Sequence, residues 1–269
     1  MQGGERDQDH TVMSGPYLSI VVPAYNEALR IRPTLEHIQR YLAAKSFRAE
    51  LIVVDDGSTD GTAGVARQAG ASIEGLRIVR NETNRGKGFS VRRGVMEARG
   101  ELVLFTDADL SAPIEEADKL LRALRQGSHD AAVGSRALAR ELVGVRQPWF
   151  RVLTGRVFNL LVRVLAGLPI KDTQCGLKLF RRPSTLPAFE LQSVAGFGFD
   201  PELLFLITRL GGTVIEVPVR WNDDRATRVR LLRDSVRMFA DLVALRWKAI
   251  LGVYPGNEGT ALTAAQAHQ

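Results

Sequence analysis

Leu18-Ser-Ile-Val-Val-Pro-Ala-Tyr-Asn-Glu27 is an aliphatic run that stops in proline, tyrosine and a carboxylate. The pattern returns in Glu50-Leu-Ile-Val-Val-Asp-Asp-Gly-Ser-Thr-Asp-Gly61, where an apolar strand gives way to carboxylates, glycine and hydroxyls. Unbroken apolar runs of this length read as strands buried on both faces, the habit of a parallel sheet. Working outward, further strands are predicted at Leu76–Arg80, Leu102–Thr106 and Ala131–Gly134. Helices are predicted between them. Ala28–Ala44 has Pro33 near its first turn, where proline fits. Thr59–Gly70 is opened by Ser58 or Asp60 as cap and closed by Gly70. Gly86–Ala98 and Ile114–Gln126 complete the set. Alternating strands and helices imply an α/β fold, a mostly parallel sheet covered on both faces. Ligands in such sheets sit at the carboxyl ends of the strands.

The second half reads differently. Phe150–Leu168 is predicted as an amphipathic helix, Leu177–Phe180 as a short strand and Pro201–Leu210 as a helix. Thr213–Val219 is a strand whose Pro218 suits a sheet edge. Leu231–Val253 is a long C-terminal helix. The expected organisation is one domain over 17–253, in two halves, 17–136 and 137–253. Polar tails at 1–16 and 254–269 are expected to be disordered.

Composition removes several classes. The 269 residues are 45% hydrophobic and 25% charged, close to an ordinary globular chain. A lone cysteine, Cys175, permits no internal disulfide. No stretch reaches the roughly 18 consecutive apolar residues of a membrane span. The net charge is +6, with Lys plus Arg at 36. Basic charge permits nucleic-acid binding, but no motif for it appears and none is expected. The chain has neither a G-x-x-x-x-G-K-[ST] loop nor a G-x-G-x-x-G turn, which argues against a P-loop NTPase and a dinucleotide enzyme.

Each predicted strand end carries polar groups: Pro23–Glu27, Asp55–Gly61, Asn84–Gly88, Asp107–Asp109 and Gly134–Arg136. Alone, each is as well explained by a turn or a cap. Five at one sheet edge describe a site for a nucleoside diphosphate. Asp107 and Asp109, one residue apart, can hold a hard divalent cation, Mg²⁺ or Mn²⁺. Lys87 and Arg136 can neutralise phosphate oxygens, and Gly86 and Gly88 permit close backbone approach. Asp55 or Asp56 can accept from a base or a ribose hydroxyl.

These residues carry a resemblance. Val22–Glu27, Val53–Thr62 and Asp107-Ala-Asp109 resemble the family 2 glycosyltransferases of the GT-A fold. Asn84–Gly88, Val133–Arg136, Lys171-Asp-Thr-Gln-Cys-Gly-Leu-Lys-Leu-Phe180, Phe199–Leu204 and Glu216–Trp221 resemble the dolichyl-phosphate β-glucosyltransferase branch. The resemblance implies inverting transfer of a hexose, glucose from UDP-glucose, from a nucleotide diphosphate sugar to a polyprenyl phosphate with Mg²⁺ or Mn²⁺. Two strings depart from the branch, Gly196-Phe-Gly-Phe-Asp200 and Asn222–Arg228.

The expected roles are as follows. Pro23, Tyr25, Glu27, Asp55 and Asp56 hold the nucleoside. Asp107 and Asp109 hold the metal, and Lys87 and Arg136 assist the departing phosphates. Gln174 and Lys178 line the sugar or acceptor pocket. A phosphate acceptor, with a second pKa near 6, is already a nucleophile at neutral pH. A hydroxyl acceptor on a glycan or metabolite, the alternative, needs a base, for which Asp172 and Asp200 are the candidates. Asp200 can equally cap a helix, Glu202 can serve a helix dipole, and Cys175 is expected to be a packed small residue. Arg230, Arg233 and Arg237 share one face of the last helix, and Leu232, Val236, Phe239 and Val243 another. Such a helix suits either a core or an anionic bilayer. The expected location is the cytoplasm, with peripheral contact at the cytoplasmic membrane face.

Overall fold

A computed structural model describes residues 15–71, 73–138, 160–222 and 231–255. Both expected tails, most of the Phe150–Leu168 helix, and Arg225, Arg228 and Arg230 lie outside these residues, apart from the short ends at 15–16 and 254–255.

Among the described residues the chain runs β1 (Leu18–Ala24), α1 (Ile31–Ala43), β2 (Ala49–Asp55), α2 (Thr62–Gly70), β3 (Leu76–Arg80), α3 (Lys87–Glu97) and β4 (Leu102–Thr106). A 3₁₀ turn at Ile114–Glu116 leads into α4 (Ala117–Gln126), followed by β5 (Ala131–Ser135) and α5 (160–166). Then come β6 (Leu177–Arg181), α6 (Arg182–Leu191), α7 (Phe199–Arg209), β7 (Val214–Pro218) and α8 (Leu231–Ile250).

The seven strands form one sheet in the order β3-β2-β1-β4-β6-β5-β7. Alternate residues of each central strand feed two apolar layers. Ile20 and Val22, with Leu51 and Val53, enter one layer; Val21, Ile52 and Val54 enter the other. Both faces are therefore apolar, which is why the strands read as unbroken runs. Each fully buried aliphatic side chain contributes about 1.5–3 kcal/mol.

The sheet is mixed rather than simply parallel. β6 runs antiparallel to both β4 and β5. β1–β5 thus still end at one edge, and β6 begins there, bringing the 171–176 loop to the same edge. β7 takes the outer position that Pro218 suggested. Two helices start later than expected. Residues 28–30 form a turn before α1, and Gly61, at φ +88°, sets the entry to α2. α6 is not among the expected elements, and it contains two prolines, Pro183 and Pro187. Pro183 occupies the first turn, which tolerates it.

The face of α8 that carries Val236 and Phe239 is not the one packed on the core. Met238, Leu242 and Leu245 are the buried residues, whereas Val236 and Phe239 face solvent.

Candidate active site

The Tyr25–Glu27 and Gly57–Thr62 loops are knitted together. Asn26, at φ +56°, donates its backbone N–H to Ser58 Oγ at 2.8 Å and accepts from the Thr59 amide at 2.8 Å. The Glu27 amide donates to Thr62 Oγ1, while the Glu27 carboxylate pairs with Arg30 at 2.7 Å. Tyr25 is exposed beside them and Pro23 half-buried. Asn26 is a residue that sequence reasoning missed, although a left-handed asparagine in a polar loop is its ordinary signature.

Asp55 and Asp56, alike in sequence, part company. Asp56 is buried and its carboxylate serves the chain: it accepts from Asn81 Nδ2 at 2.6 Å, the Arg85 amide at 2.9 Å and the Gly86 amide at 2.8 Å. The structure therefore gives Asp56 the work of holding the 84–88 turn. Asp55 accepts from the Ser58 amide at 3.1 Å and lies 3.2 Å from Arg80 Nε.

That turn aims Lys87 at the end of β4. Gly86 sits at φ +102°, and a Cβ there would lie 2.4 Å from the Ala195 carbonyl oxygen. Lys87 Nζ lies 2.6 Å from Asp107 Oδ1. Burial works against its charge, but Asp107 and then Asp200 outweigh this and hold its pKa above the ordinary value. Asp109 is exposed at the next turn, with the Ser111 amide on Oδ1 at 2.9 Å. Desolvation and the neighbouring Asp107 raise its pKa.

The pair suits a hard divalent cation. Two carboxylates that repel one another gain from a shared counter-charge, and Gly176 leaves room beside them, since a Cβ there would lie 2.0 Å from Asp107 Oδ2. No group of three or more His, Cys, Asp or Glu among the described residues is arranged to hold a metal ion by itself. Asp107 and Asp109 would hold the ion with further oxygens from elsewhere. Gly176→Ala should turn Asp107 aside and weaken Mn²⁺ binding roughly tenfold or more, the scale of displaced outer-shell supports. Paramagnetic resonance of free Mn²⁺ checks this, and unchanged affinity would exclude Asp107 as a ligand.

The 171–176 loop carries a second ion pair. Asp172 is almost fully buried and grips Arg136 through Nε at 2.7 Å and Nη2 at 2.8 Å, with the Arg136 amide on Oδ2 at 2.9 Å. Burial alone would raise the Asp172 pKa, but Arg136 lowers it. The Asp172 amide is fixed by Glu216 Oε1 at 3.0 Å, a support not foreseen. Arg136 also lies over Trp221, 5.3 Å from the ring centre. A carboxylate so engaged is a poor proton acceptor, so the structure favours Asp172 as the orienter of Arg136. Removing one partner of such a buried pair costs about 3–5 kcal/mol. Asp172→Asn should lose that much in chemical denaturation at neutral pH. Because the folded pKa is depressed, the stabilisation is complete above the unfolded value of 3.8. It fades as pH falls below that, so the gap between parent and variant should narrow in acid.

Lys178, expected to line a pocket, is instead fully buried. Its Nζ lies 2.6 Å from Asp200 Oδ1 and donates to the Cys175 carbonyl at 2.6 Å. Asp200, in the first turn of α7, is buried, and that burial raises its pKa despite Lys178 and Lys87. Gln174 donates to the Phe197 carbonyl at 3.4 Å, linking two loops of the site. Cys175 is packed as expected, its thiol pushed up to about 11 by burial.

The site thus gathers Lys87, Asp107, Asp109 and Asp200 into one charged group, with Arg136 and Asp172 beside it. The profile of the family described as "Glycosyl transferase family 2" matches residues 19–185. The dolichyl-phosphate beta-glucosyltransferase of Saccharomyces cerevisiae is 35% identical over 259 residues, covering 90% of this chain and 78% of the relative. That of Drosophila melanogaster is 36% identical, covering 88% and 76%, and that of Homo sapiens 32%, covering 93% and 82%. Among solved structures, mannosyl-3-phosphoglycerate synthase from Rubrobacter xylanophilus is 24% identical with a TM-score of 0.63, covering 89% and 76%. Glucosyl-3-phosphoglycerate synthase from Mycobacterium tuberculosis, in complex with Mn²⁺, uridine-diphosphate-glucose and glycerol 3-phosphate, is 23% identical with a TM-score of 0.58, covering 86% and 79%.

Proposed function

Since this chain belongs to the family 2 glycosyltransferases and has their GT-A fold, we propose that it moves glucose from UDP-glucose to a polyprenyl or dolichyl phosphate, with inversion. The observation that carries the reading is the 32–36% identity to dolichyl-phosphate beta-glucosyltransferases of yeast, fly and human over most of both chains.

The site is consistent with that chemistry. Pro23, Tyr25, Glu27 and Asp55 border the end of β1 and β2, where the nucleoside would lie. Asp107 and Asp109 would hold Mg²⁺ or Mn²⁺, which supplies charge neutralisation for the departing diphosphate. Lys87 adds a fixed ammonium at the same place, and Gln174 lies near the sugar. Arg136, oriented by Asp172, offers its remaining N–H groups to an incoming phosphate, for which a planar fork is well shaped. The acceptor oxygen of a phosphate dianion attacks the anomeric carbon as the bond to the diphosphate breaks. No proton need be removed. With Asp172 occupied by Arg136 and Asp200 pinned by Lys178, an acceptor that brings its own negative charge suits the site. The hydroxyl alternative rests on Asp200, whose raised pKa is what a base requires. Supplying UDP-[¹⁴C]glucose with a short-chain polyprenyl phosphate tests the reading. It requires a labelled organic-phase product and fails when only water accepts the sugar.

The acceptor's tail places the reaction at a bilayer. No helix among the described residues is long and apolar enough to cross one. α8, however, has two apolar stripes. One packs inward; the other, Val236, Phe239, Trp247 and Ile250, is exposed at helical spacing, with Arg246 beside it. α5 adds exposed Leu160 and Val164 flanking Arg163. An apolar stripe edged by arginine suits the interface of an anionic membrane. The chain should co-sediment with vesicles of phosphatidylcholine and phosphatidylglycerol at low salt and less at high salt. Phe239→Ser with Trp247→Ser should weaken this about a hundredfold or more, each large side chain contributing roughly 1.5–3 kcal/mol of burial. Failure of the parent chain to bind such vesicles would overturn the peripheral reading.

A further inference from the structure

The loop at 192–198, between α6 and α7, touches the active site at three places. The Ala195 carbonyl accepts the Phe89 amide at 3.1 Å and presses on Gly86. The Val194 carbonyl is so close to Gly88 that a Cβ there would lie 2.6 Å away. The Phe197 carbonyl accepts from Gln174, and Gly198 leads straight into Phe199-Asp200. The position of this loop therefore sets the glycine turn that carries Lys87, the Gln174 loop and the start of α7 together.

The loop is held from behind. Glu202, only 1% exposed, accepts from the Val194 amide at 2.7 Å, Ser193 Oγ at 2.6 Å and Tyr254 Oη at 2.8 Å, and from the Ser193 amide on both oxygens. With that many donors its lone pairs are committed, so it has no part in proton transfer. Lys248 Nζ in turn donates to Ser193 Oγ at 2.7 Å. Asp241 packs on Gly198, where a Cβ would meet its Oδ2 at 2.5 Å. Lys248 and Asp241 belong to α8, and Tyr254 follows it directly. A cleft of about 240 Å³ separates the rest of the loop's rear face from α8 and is lined by Arg237 and Ala244.

We propose that Glu202, Lys248 and Tyr254 are a positioning unit through which the lodging of α8 sets the donor-binding turn. None of the three reaches substrate. They relay the position of α8 through the Ser193–Val194 backbone to Gly86–Gly88 and to the start of α7. The inference rests on the bilayer reading of the outer stripe of α8. A bilayer on that stripe fixes the helix, the Lys248 and Tyr254 contacts fix the loop, and donor affinity rises.

The test is UDP binding by calorimetry with Mn²⁺ present, on the full chain, with and without vesicles of phosphatidylcholine and phosphatidylglycerol. Vesicles should tighten UDP binding about fivefold or more, the lower range of inter-site coupling. Lys248→Met combined with Tyr254→Phe should abolish that response while co-sedimenting with vesicles as well as the parent. Lys248→Arg should restore it, which a purely structural role would not require. Tyr254→Phe alone, which removes one hydroxyl, should halve the response and guards against misfolding of the double variant. An unchanged response in the double variant overturns the unit. So does a parent chain that binds vesicles yet shows the same UDP affinity. A parent chain that does not sediment with vesicles instead overturns the bilayer reading, and the coupling falls with it.

Discussion

Asp107→Asn and Asp109→Asn are each expected to lower transfer by about 10²–10³ in kcat, the scale of removing one preorganised electrostatic partner from a charged transition state. Each deletes half of the carboxylate pair at the end of β4, and Asp107→Asn also removes the negative charge that lies 2.6 Å from Lys87 Nζ. The two variants should differ in metal affinity. Asp107 faces Gly176 and Lys87, whereas Asp109 stands exposed beyond it. Steady-state transfer and Mn²⁺ binding measured together check the point. Retention of both within fivefold of the parent would remove these residues from the site. A pH dependence follows with a fixed sign. A protonated carboxyl does not hold the cation, so affinity falls as pH falls. Asp109 is raised above the ordinary 3.8 by desolvation and by Asp107, so the decline begins at higher pH than for an unperturbed aspartate. Asp107→Asn removes one of those causes and should move the onset downward.

The second large effect separates the two acceptor chemistries. If a hydroxyl is the acceptor, Asp200→Asn removes the base. Loss of base catalysis typically costs 10²–10⁴-fold, and the pH–rate profile should lose its acidic limb. If a phosphate dianion is the acceptor, the same change leaves the nucleophile intact. Asparagine keeps an oxygen for Lys178 Nζ, so the loss reflects altered charge near Lys87 rather than missing proton transfer. The expectation is a drop of about tenfold in kcat, small beside that of Asp107→Asn, with the acidic limb set by the acceptor phosphate near pH 6. A loss above 10³ with the acidic limb abolished would favour the hydroxyl reading.

The half at 17–136 is the more legible in the sequence because its signals are local. Leu76–Arg80 and Leu102–Thr106 are the strands observed, to the residue, and the five polar strand ends share one sheet edge. Strand direction is not local. Nothing in Leu177-Lys-Leu-Phe180 says that it runs against its neighbours, yet that reversal brings the 171–176 loop to the site. Hydropathy also could not choose between the two apolar stripes of α8. Both have helical spacing, and only packing on α7 buries Met238, Leu242 and Leu245. Charged pairs were the least legible feature. Asp55 and Asp56 are indistinguishable in sequence, and Asp172 reads as a base until Arg136 is seen to occupy both its oxygens. Lys178 reads as a pocket-lining lysine until burial places it on Asp200.

The most direct test of the account is a donor panel. UDP-glucose, UDP-galactose, UDP-N-acetylglucosamine and GDP-mannose would each be offered with a polyprenyl phosphate, with and without Mn²⁺, and the lipid product identified by mass. The account predicts a polyprenyl phosphohexose of glucose mass, formed from UDP-glucose only when the metal is present. No lipid product from any donor, together with glucosylation of a soluble hydroxyl acceptor under the same conditions, would contradict it.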